Sequence, residues 1–517
     1  MLKKHWQILL LNILIILCFI IGYGRFGDVI FDSFREAYIP AQILEGQVLY
    51  KNIFNIYAPF SYLFNALLFK IFGVHLSILY FAGLFTSLGI SNLIFAISNK
   101  FFNKNYSLGI GIIFICTAVL SPNVFNCFFP YSYGMLYGLL FILNSIYFAL
   151  NKKFPLAYAM YSFAICSKYE FIFLLPLLIY ASGLKNWHKN MAGLILPAAL
   201  TFTPLFVQDA GFENILISYK LILMMSAAKT LYWFYSVTGL VFRPELIPIY
   251  LINLAKISIP AALMYFVKSY YIIPVLLVYC WFISTPELFI YIFPLLFIFF
   301  IIRFKQLENQ EKFFIFASFL ISIKIFFAAA LQSYGIYFLP FAMISLFILT
   351  PLKIRKPIMI VLLLCTISFG IKNIQTLKSK NVKLKTDMGT VYTTPYIGNS
   401  LKELTVYVQK NTNKNDKVLV YPECLAVNFL TNRASDNKFY SLIPLYIETF
   451  GEDLIIKRFE ITEPEYIITS NYDTSSYYYS LFGIDYAGKI YSYILKNYKQ
   501  ETQIGEGLIF TVHHLSR

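Results

Sequence analysis

For its first 371 residues the chain alternates long apolar stretches with short polar breaks, and then it changes character. Thirteen apolar runs stand out: Gln7–Gly24, His75–Ser98, Ser107–Pro122, Tyr133–Leu150, Pro155–Ser167, Tyr169–Ser182, Asn190–Val207, Ile247–Val267, Tyr270–Ser284, Glu287–Ile302, Phe313–Ala330, Ile336–Thr350 and Pro357–Ile371. Runs of about 15 to 25 apolar residues predict membrane-spanning helices, because in lipid a helix satisfies its backbone polar groups within its own segment. Pro155–Ser167 and Tyr169–Ser182 are short for full spans, and a re-entrant hairpin suits them as well. Ala58–Gly73 and Asn214–Phe242 are apolar and rich in aromatics but interrupted by Lys70 and by Lys220 and Lys229. Helices lying in the outer interface fit these two better than further spans.

After Ile371 the pattern turns polar. Short β-rich runs (Lys417–Tyr421, Tyr466–Ser470, Leu508–Val512) alternate with helical periodicity at Ser400–Asn411 and Lys489–Tyr498, which predicts a small α/β domain large enough to hold its own core. The expected architecture is an all-α polytopic membrane bundle of about 11–13 transmembrane helices over residues 1–371. Its first outer loop, 25–74, carries interfacial helices, and a C-terminal extracytoplasmic α/β domain covers 372–517. The only low-complexity stretch is the tyrosine cluster Tyr477–Tyr479, read as a loop, and no internal repeat is visible.

Composition supports a membrane protein and excludes a soluble enzyme or transcription factor: 59% of the 517 residues are hydrophobic, 13% are charged, and the mean hydropathy is +0.66. A net charge of +16 would ordinarily suggest nucleic acid, but its distribution argues for topology instead. Residues 1–371 hold 25 basic and 11 acidic side chains, whereas 372–517 hold 17 and 15. With the N-terminus cytoplasmic, the inner loops collect Lys3, Lys4, Lys100, Lys104, Lys152, Lys153, Lys185, Lys189, Lys268, Arg303, Lys305, Lys312, Lys353, Arg355 and Lys356, against Glu308 and Glu311 alone. That asymmetry is what cytoplasmic loops show. The N-terminus has the charge and apolar core of a signal peptide without a small-x-small cleavage site, and is read as an uncleaved first span.

Seven cysteines form no framework; Cys18, Cys116, Cys166, Cys280 and Cys365 fall in apolar runs, Cys127 in a short loop and Cys424 in the tail. Five histidines offer no HxxxH pair or Cys/His cluster, so no cofactor is implied with certainty and no divalent metal is required.

Candidate chemistry concentrates in the first outer loop. Asp32, Arg35 and Glu36 have i, i+3, i+4 spacing, which on a helix puts them on one face near the membrane surface, with Asp28 and Glu45 close in sequence. A solvated face with a local ion pair accounts for this spacing; so does a general base kept ionised by its cationic neighbour. A second cluster, Ser167-Lys168-Tyr169-Glu170, puts ionisable groups at the tip of two runs, where they snorkel to headgroups or bind substrate. Lys256 and Lys324 raise the same alternatives inside spans, Lys324 meeting a lipid phosphate, an acid of the first loop, or a partner inside the bundle. Phe129-Pro130-Tyr131-Ser132-Tyr133-Gly134 reads on its own as an aromatic belt.

Taken in order, these segments resemble a known group. Asp32-Ser-Phe-Arg35-Glu36-Ala-Tyr38-Ile-Pro40, Leu44-Glu-Gly46-Gln-Val-Leu-Tyr50-Lys, Tyr57-Ala-Pro59-Phe-Ser-Tyr62 and Leu67-Leu-Phe-Lys70-Ile-Phe-Gly73 resemble the first outer loop of bacterial GT-C membrane glycosyltransferases. The group is glycosyltransferase family 39, or mannosyltransferase-like, related to protein O-mannosyltransferases and the lipid A aminoarabinose transferase. Pro130 to Tyr133, Lys168-Tyr169-Glu170, Pro422-Glu423, Asn428 to Arg433, Phe482 to Tyr486 and Ile494 to Tyr498 are similar to its recurring elements. The resemblance implies a GT-C bundle and an extracytoplasmic active site. There a polyprenyl-phosphate-linked sugar is transferred with inversion to a lipid, glycan or protein acceptor, with membrane lipid and no nucleic acid as partners. It makes Asp32 the base or acceptor-orienting residue, with Glu36 the second catalytic candidate. Arg35, Tyr50, Tyr57, Tyr131, Lys168, Glu170 and Lys324 are candidate substrate contacts. The mannosyltransferases carry an adjacent Asp-Glu pair, whereas here Asp32 and Glu36 stand four apart.

The residues fit that reading independently. A lipid phosphate leaving group needs no nucleotide-binding loop, and no Gly-rich loop followed by Lys-Ser/Thr occurs. Such a reaction asks for a cation at the phosphate and a carboxylate at the acceptor. The expected function is a membrane glycosyltransferase of hexosyltransferase type in a bacterial-type inner membrane. A flippase of lipid-linked sugars or a glycan polymerase or ligase is the alternative; transporters tend to show related halves with broken spans, and neither is visible.

Overall fold

The structure, a computed structural model, describes residues 2–30, 32–183, 186–216, 243–267, 270–326, 334–435 and 438–516. The chain divides into two compact units: Met1–Phe26, Phe81–Leu200 and Tyr235–Leu377 in the first, Gly27–Tyr80, Thr201–Phe234 and Lys378–Arg517 in the second.

The first unit is helical. Each of the thirteen apolar runs contains helix, and several bounds agree closely with the sequence pattern, as for Leu76–Ser98, Tyr133–Leu150, Phe154–Ser167 and Ile247–Val267. Among the described residues six helices are long and apolar enough to cross a membrane: Leu76–Ser98, Tyr133–Leu150, Trp187–Val207, Pro244–Val267, Leu288–Gln306 and Leu352–Ser379. The remaining runs form shorter apolar helices, several entered through a 3-10 turn (Tyr169–Leu174 before Leu175–Ser182, Tyr334–Phe338 before Leu339–Leu349). Proline explains the breaks: Pro176 and Pro340 stand at the first positions of their helices, where a missing N–H costs nothing. Packing relies on small residues; a Cβ on Gly83 would come within 2.3 Å of the Phe128 carbonyl oxygen, and one on Gly193 within 2.5 Å of that of Pro155. Phe85, Tyr180, Phe266, Tyr271 and Phe282 are each more than 60% exposed, an outward apolar surface that suits lipid and would be a liability in water.

In the second unit, strands β1 (Val382–Thr386) and β2 (Gly389–Thr393) form an antiparallel hairpin. Strands β3 (Val418–Tyr421), β4 (Tyr466–Ser470), β5 (Tyr498–Ile504) and β6 (Phe510–Leu515) form a sheet of order β3-β4-β6-β5, in which only β3 and β4 are parallel. Every residue of β3 and β4 is buried, so these strands read as continuous apolar runs. Leu419, Tyr421, Phe459, Ile467, Ile490 and Ile494 form the core under the helices Glu452–Thr462 and Gly488–Asn497. The α/β expectation for the tail holds; the β1–β2 hairpin, β5 and the helices Leu425–Thr431 and Glu452–Thr462 lie outside what the sequence pattern marked.

Residues of the first outer loop belong to this unit. The helices Arg35–Leu44 and Phe60–Phe72 end at Gly46 and Gly73, both at φ +90°, a backbone state that glycine adopts without strain. They are tied to the tail by Tyr38, whose hydroxyl lies 2.8 Å from Ser435 Oγ and accepts the Ser435 N–H at 2.7 Å. Phe34 and Phe69 pack on Phe429, and Leu76 N–H donates to the Met388 carbonyl at 2.8 Å. Most of the interfacial segment expected at Asn214–Phe242, with Lys220 and Lys229, lies outside the described residues, as do Lys185 and Lys268.

Candidate active site

The loop after the first span is shaped by its own polar side chains. Asp28 Oδ1 accepts the Ile30 N–H at 2.7 Å and Ser33 Oγ accepts the Asp28 N–H at 3.0 Å, two local bonds made by polar side chains. Asp32 opens the 3-10 turn Asp32–Phe34 at φ +27°, a conformation that L residues seldom adopt. Strain of this kind persists where the surroundings impose it and gathers at functional sites. Arg35 starts the next helix, and its Nη1 is 3.3 Å from Asp32 Oδ1.

The solvated-face reading of this spacing does not survive: Arg35 is 3% exposed and Glu36 fully buried, while the Asp32 side chain is one third exposed. The Arg35 guanidinium lies 4.7 Å from the centre of the Tyr57 ring. Glu36 accepts the Tyr62 hydroxyl at 3.0 Å, joining two loop helices. Asp32 and Glu36 therefore differ in exposure, one partly open and one closed.

A third acid completes the cluster. Glu423 follows β3, is 5% exposed, and accepts the Ser441 hydroxyl at 3.0 Å. Burial pushes its pKa up to about 8; the negative charge of Asp32 adds to the rise, Arg35 and the Ser441 hydrogen bond oppose it, and Asp28 contributes a little more. Burial also raises Asp32 above the usual carboxylate range, with Arg35 pulling it back and Asp28 pushing it further. Tyr477 and Tyr440 are held in their neutral phenol form chiefly by burial, the former also by Asp32 and Glu423. Lys380 donates to the Gly27 carbonyl at 2.9 Å; burial lowers its pKa and Asp28 partly restores it. Two carboxyls in one desolvated neighbourhood do not ionise together readily. The cluster thus places a buried Glu423 that keeps its proton at neutral pH beside a partly open Asp32, whose pKa burial raises and Arg35 opposes.

The other sequence candidates fall as follows. Tyr57 sits under Arg35. Tyr50 is fully buried at φ +70°, donates its hydroxyl to the Tyr57 carbonyl at 2.6 Å, and shapes the loop. Tyr131, Lys168, Glu170 and Lys324 lie in the first unit. Lys324 pairs with Glu170, the acid 7% and the lysine 22% exposed, so the alternative of a first-loop acid as its partner is replaced by an acid of the bundle. Lys168 is half-buried at the end of the helix Phe154–Ser167, and the Tyr131 ring stacks edge-on against Phe125 at 5.7 Å. Among the described residues no three His, Cys, Asp or Glu side chains are grouped to hold a metal ion.

Sequence reasoning quoted Pro422-Glu423 as a motif without assigning Glu423 a role. The available signal was a lone acid directly after an apolar strand that ends in Tyr421 and Pro422; what it lacked was the long-range contact that puts residue 423 beside residue 32. Tyr440 and Tyr477 carried no signal beyond the general abundance of tyrosine.

No family model and no curated protein sequence matches the chain. Its fold is similar to that of ArnT from Cupriavidus metallidurans bound to undecaprenyl phosphate, with a TM-score of 0.55 at 9% identity over 98% of this chain and 98% of that one. ArnT in the apo state aligns with a TM-score of 0.45 at 11% identity over 99% and 98% of the two chains. An Archaeoglobus fulgidus oligosaccharyltransferase tethered with an acceptor peptide aligns at 0.49 and 11% identity, over 100% of this chain and 74% of that one.

Proposed function

We propose that this chain, which has the GT-C fold, is a membrane glycosyltransferase that moves a sugar from a polyprenyl-phosphate-linked donor to an acceptor hydroxyl, with inversion, and with Asp32 as general base. The observation that carries the reading is the pairing of a strained, partly open Asp32 with Arg35 at 3.3 Å and with a Glu423 whose pKa lies near 8. Arg35 favours the ionised form of Asp32, the form that accepts a proton, against the burial that raises its pKa. Glu423 stays protonated at neutral pH, so it adds no negative charge against an anionic donor.

The acceptor O–H gives its proton to the Asp32 carboxylate while its oxygen forms the bond to the anomeric carbon. The bond from that carbon to the phosphate oxygen breaks, and the electron pair leaves with the lipid phosphate. Lys380, in the same unit as Asp32, is a candidate cation for that phosphate. The undecaprenyl phosphate bound by ArnT supports a polyprenyl carrier, and the peptide tethered to the oligosaccharyltransferase keeps a protein acceptor beside lipid and glycan ones. The reaction as written needs no metal. The orientation that goes with it has the N-terminus cytoplasmic and residues 372–517 outside a bacterial-type inner membrane. Reporter fusions after Lys153 and after Phe510 should report opposite sides.

The test is transfer of radiolabelled sugar from a polyprenyl-phosphate donor by the purified protein. Covalent transfer to an acceptor extract is the expected result. Movement of lipid-linked sugar across vesicles without transfer would replace the enzyme reading with a flippase.

A further inference from the structure

The helix Pro395–Asn411 in the second unit buries one face and leaves another open. Leu401, Leu404, Thr405 and Val408 are buried, whereas Tyr396, Asn399, Glu403, Val406, Tyr407 and Lys410 recur at three- and four-residue spacing as a second stripe. That stripe forms one wall of an open groove of about 1040 Å³, whose other wall is Gln503, Ile504 and the Gly505-Glu506-Gly507 turn between β5 and β6. The volume matches the upper end of the range for small-ligand sites.

Close backbone approach builds the groove. A Cβ on Gly507 would stand 2.7 Å from the Tyr396 ring and 2.9 Å from the Tyr396 carbonyl oxygen, and one on Gly505, at φ +96°, would stand 2.3 Å from Ser400 Oγ. Glycine at both positions lets the turn lie against the first turns of the helix. Tyr396 is braced by this turn along one edge and is still 66% exposed, so it holds an aromatic face toward the groove's open side. Further along, the Tyr407 hydroxyl donates to Glu501 of β5, and Asn411 Nδ2 donates to the Tyr407 carbonyl at 2.9 Å.

The polar lining is mixed and balanced. Lys402 and Lys410 stand with Glu403 and Glu506, two charges of each sign, and among the described residues none of the four forms an ion pair. Gln503 Nε2 donates to Thr511 Oγ1 at 3.3 Å, which leaves its amide oxygen as an acceptor. An anion would meet two carboxylates here, and an apolar ligand would find only Pro395, Val406 and Ile504 among the polar groups. A neutral ligand with an apolar C–H face and a rim of hydroxyls, as a sugar ring has, suits tyrosine faces set among balanced donors and acceptors. An extended peptide would add to the edge strand β5, and that edge is broken by the bulge between Gln500 and Thr502 and carries Lys499 and Glu501.

We infer that this groove is a binding site for a neutral oligosaccharide, with Tyr396 as the stacking platform and Asn399, Glu403 and Gln503 as partners for hydroxyls. None of its lining residues belongs to the Asp32 cluster, and the site does not depend on the transfer chemistry assigned there.

The test uses the full-length protein in a detergent without a sugar headgroup, with binding read by saturation-transfer NMR titration. The probes are neutral tetrasaccharides of glucose, of mannose and of N-acetylglucosamine, the anionic tetragalacturonate, and a neutral octapeptide of alternating Thr and Val. At least one neutral tetrasaccharide should saturate the wild type, Tyr396→Ala should weaken it about 5-fold with an unchanged melting temperature, and Tyr396→Phe should retain it. Binding of no neutral saccharide, or binding indifferent to Tyr396→Ala, would overturn the proposal. So would a preference for tetragalacturonate or for the peptide, which would assign the groove to an anion or to strand addition. Sugar transfer from the lipid-linked donor, measured separately, decides the enzyme reading whichever way this result falls.

Discussion

Two clusters of ionisable side chains, one in each compact unit, are built differently. In the first unit Lys324 forms an ion pair with Glu170, both largely shielded from solvent. In the second, Asp32 and Glu423 draw on one Arg35, with Asp28 adding to the negative field. A balanced pair recovers part of what burying its charges costs and has no proton left to exchange. An acid-rich cluster cannot be balanced in that way, so its carboxyls do not ionise together and Glu423 keeps a proton at neutral pH. The difference separates a pair suited to holding helices together from a group suited to moving a proton.

The comparison breaks most visibly at Asp32. Asp32→Asn keeps size and polarity but loses proton affinity, so turnover should fall about 100-fold or more while donor binding and folded yield persist. Asp32→Glu should keep a trace, because one added methylene displaces the carboxylate without removing its basicity. Near-normal transfer by Asp32→Asn, with loss in Glu36→Gln, would move the base to Glu36.

In the balanced pair the expected effect is on stability. Lys324→Met or Glu170→Leu alone strands a buried charge and should cost about 3 kcal/mol or more, read as a lower melting temperature. The double replacement should recover most of that loss. Neutral single variants would mean that the pair contributes little, and the contrast would lose one side.

Lys168 sharpens the contrast within the first unit. If it meets the donor phosphate, Lys168→Ala should weaken donor binding by about 1.5 to 3 kcal/mol, and Lys168→Arg should restore part of it. Unchanged affinity in both variants returns Lys168 to a headgroup-facing role. Smaller still is Tyr62→Phe, which removes one hydrogen bond to the buried Glu36 and should cost about 1.5 kcal/mol in stability.

How far the sequence carries depends on whether the determining contacts are local. Apolar length located helix in all thirteen runs, and β-rich runs and helical periodicity found β3, β4, half of β6 and two tail helices, because each of those signals lies within one segment. The charged loop was legible for the same reason: Asp32 and Arg35 are three residues apart and do meet. What stayed hidden depends on distant chain. Glu423 acts on Asp32 through long-range contacts, among them Tyr38 with Ser435, almost 400 positions apart, and Phe34 with Phe429. The bond from the Tyr50 hydroxyl to the Tyr57 carbonyl, which shapes the loop, has no mark in the residue pattern. β5 escaped because its exposed edge alternates Lys, Gln, Glu and Thr, with little of the apolar pattern that marks a strand.

Glu423 also leaves a mark on stability. Between the ordinary carboxylate range and about pH 8 the folded chain keeps a proton that the unfolded chain has released. Its contribution therefore falls as pH rises through that window, and Glu423→Gln should flatten the decline.

The most direct measurement is the pH dependence of kcat/KM for sugar transfer in wild type and Glu423→Gln. In wild type the rate should climb as Asp32 loses its proton, above the usual carboxylate range, and fall again through about pH 8 as Glu423 ionises beside it. Glu423→Gln should abolish the alkaline fall and leave the acid limb in place, since Glu423 carries no charge at that end. An alkaline limb unchanged by the substitution, or no acid limb in either protein, would contradict the acid–base pair on which the account rests.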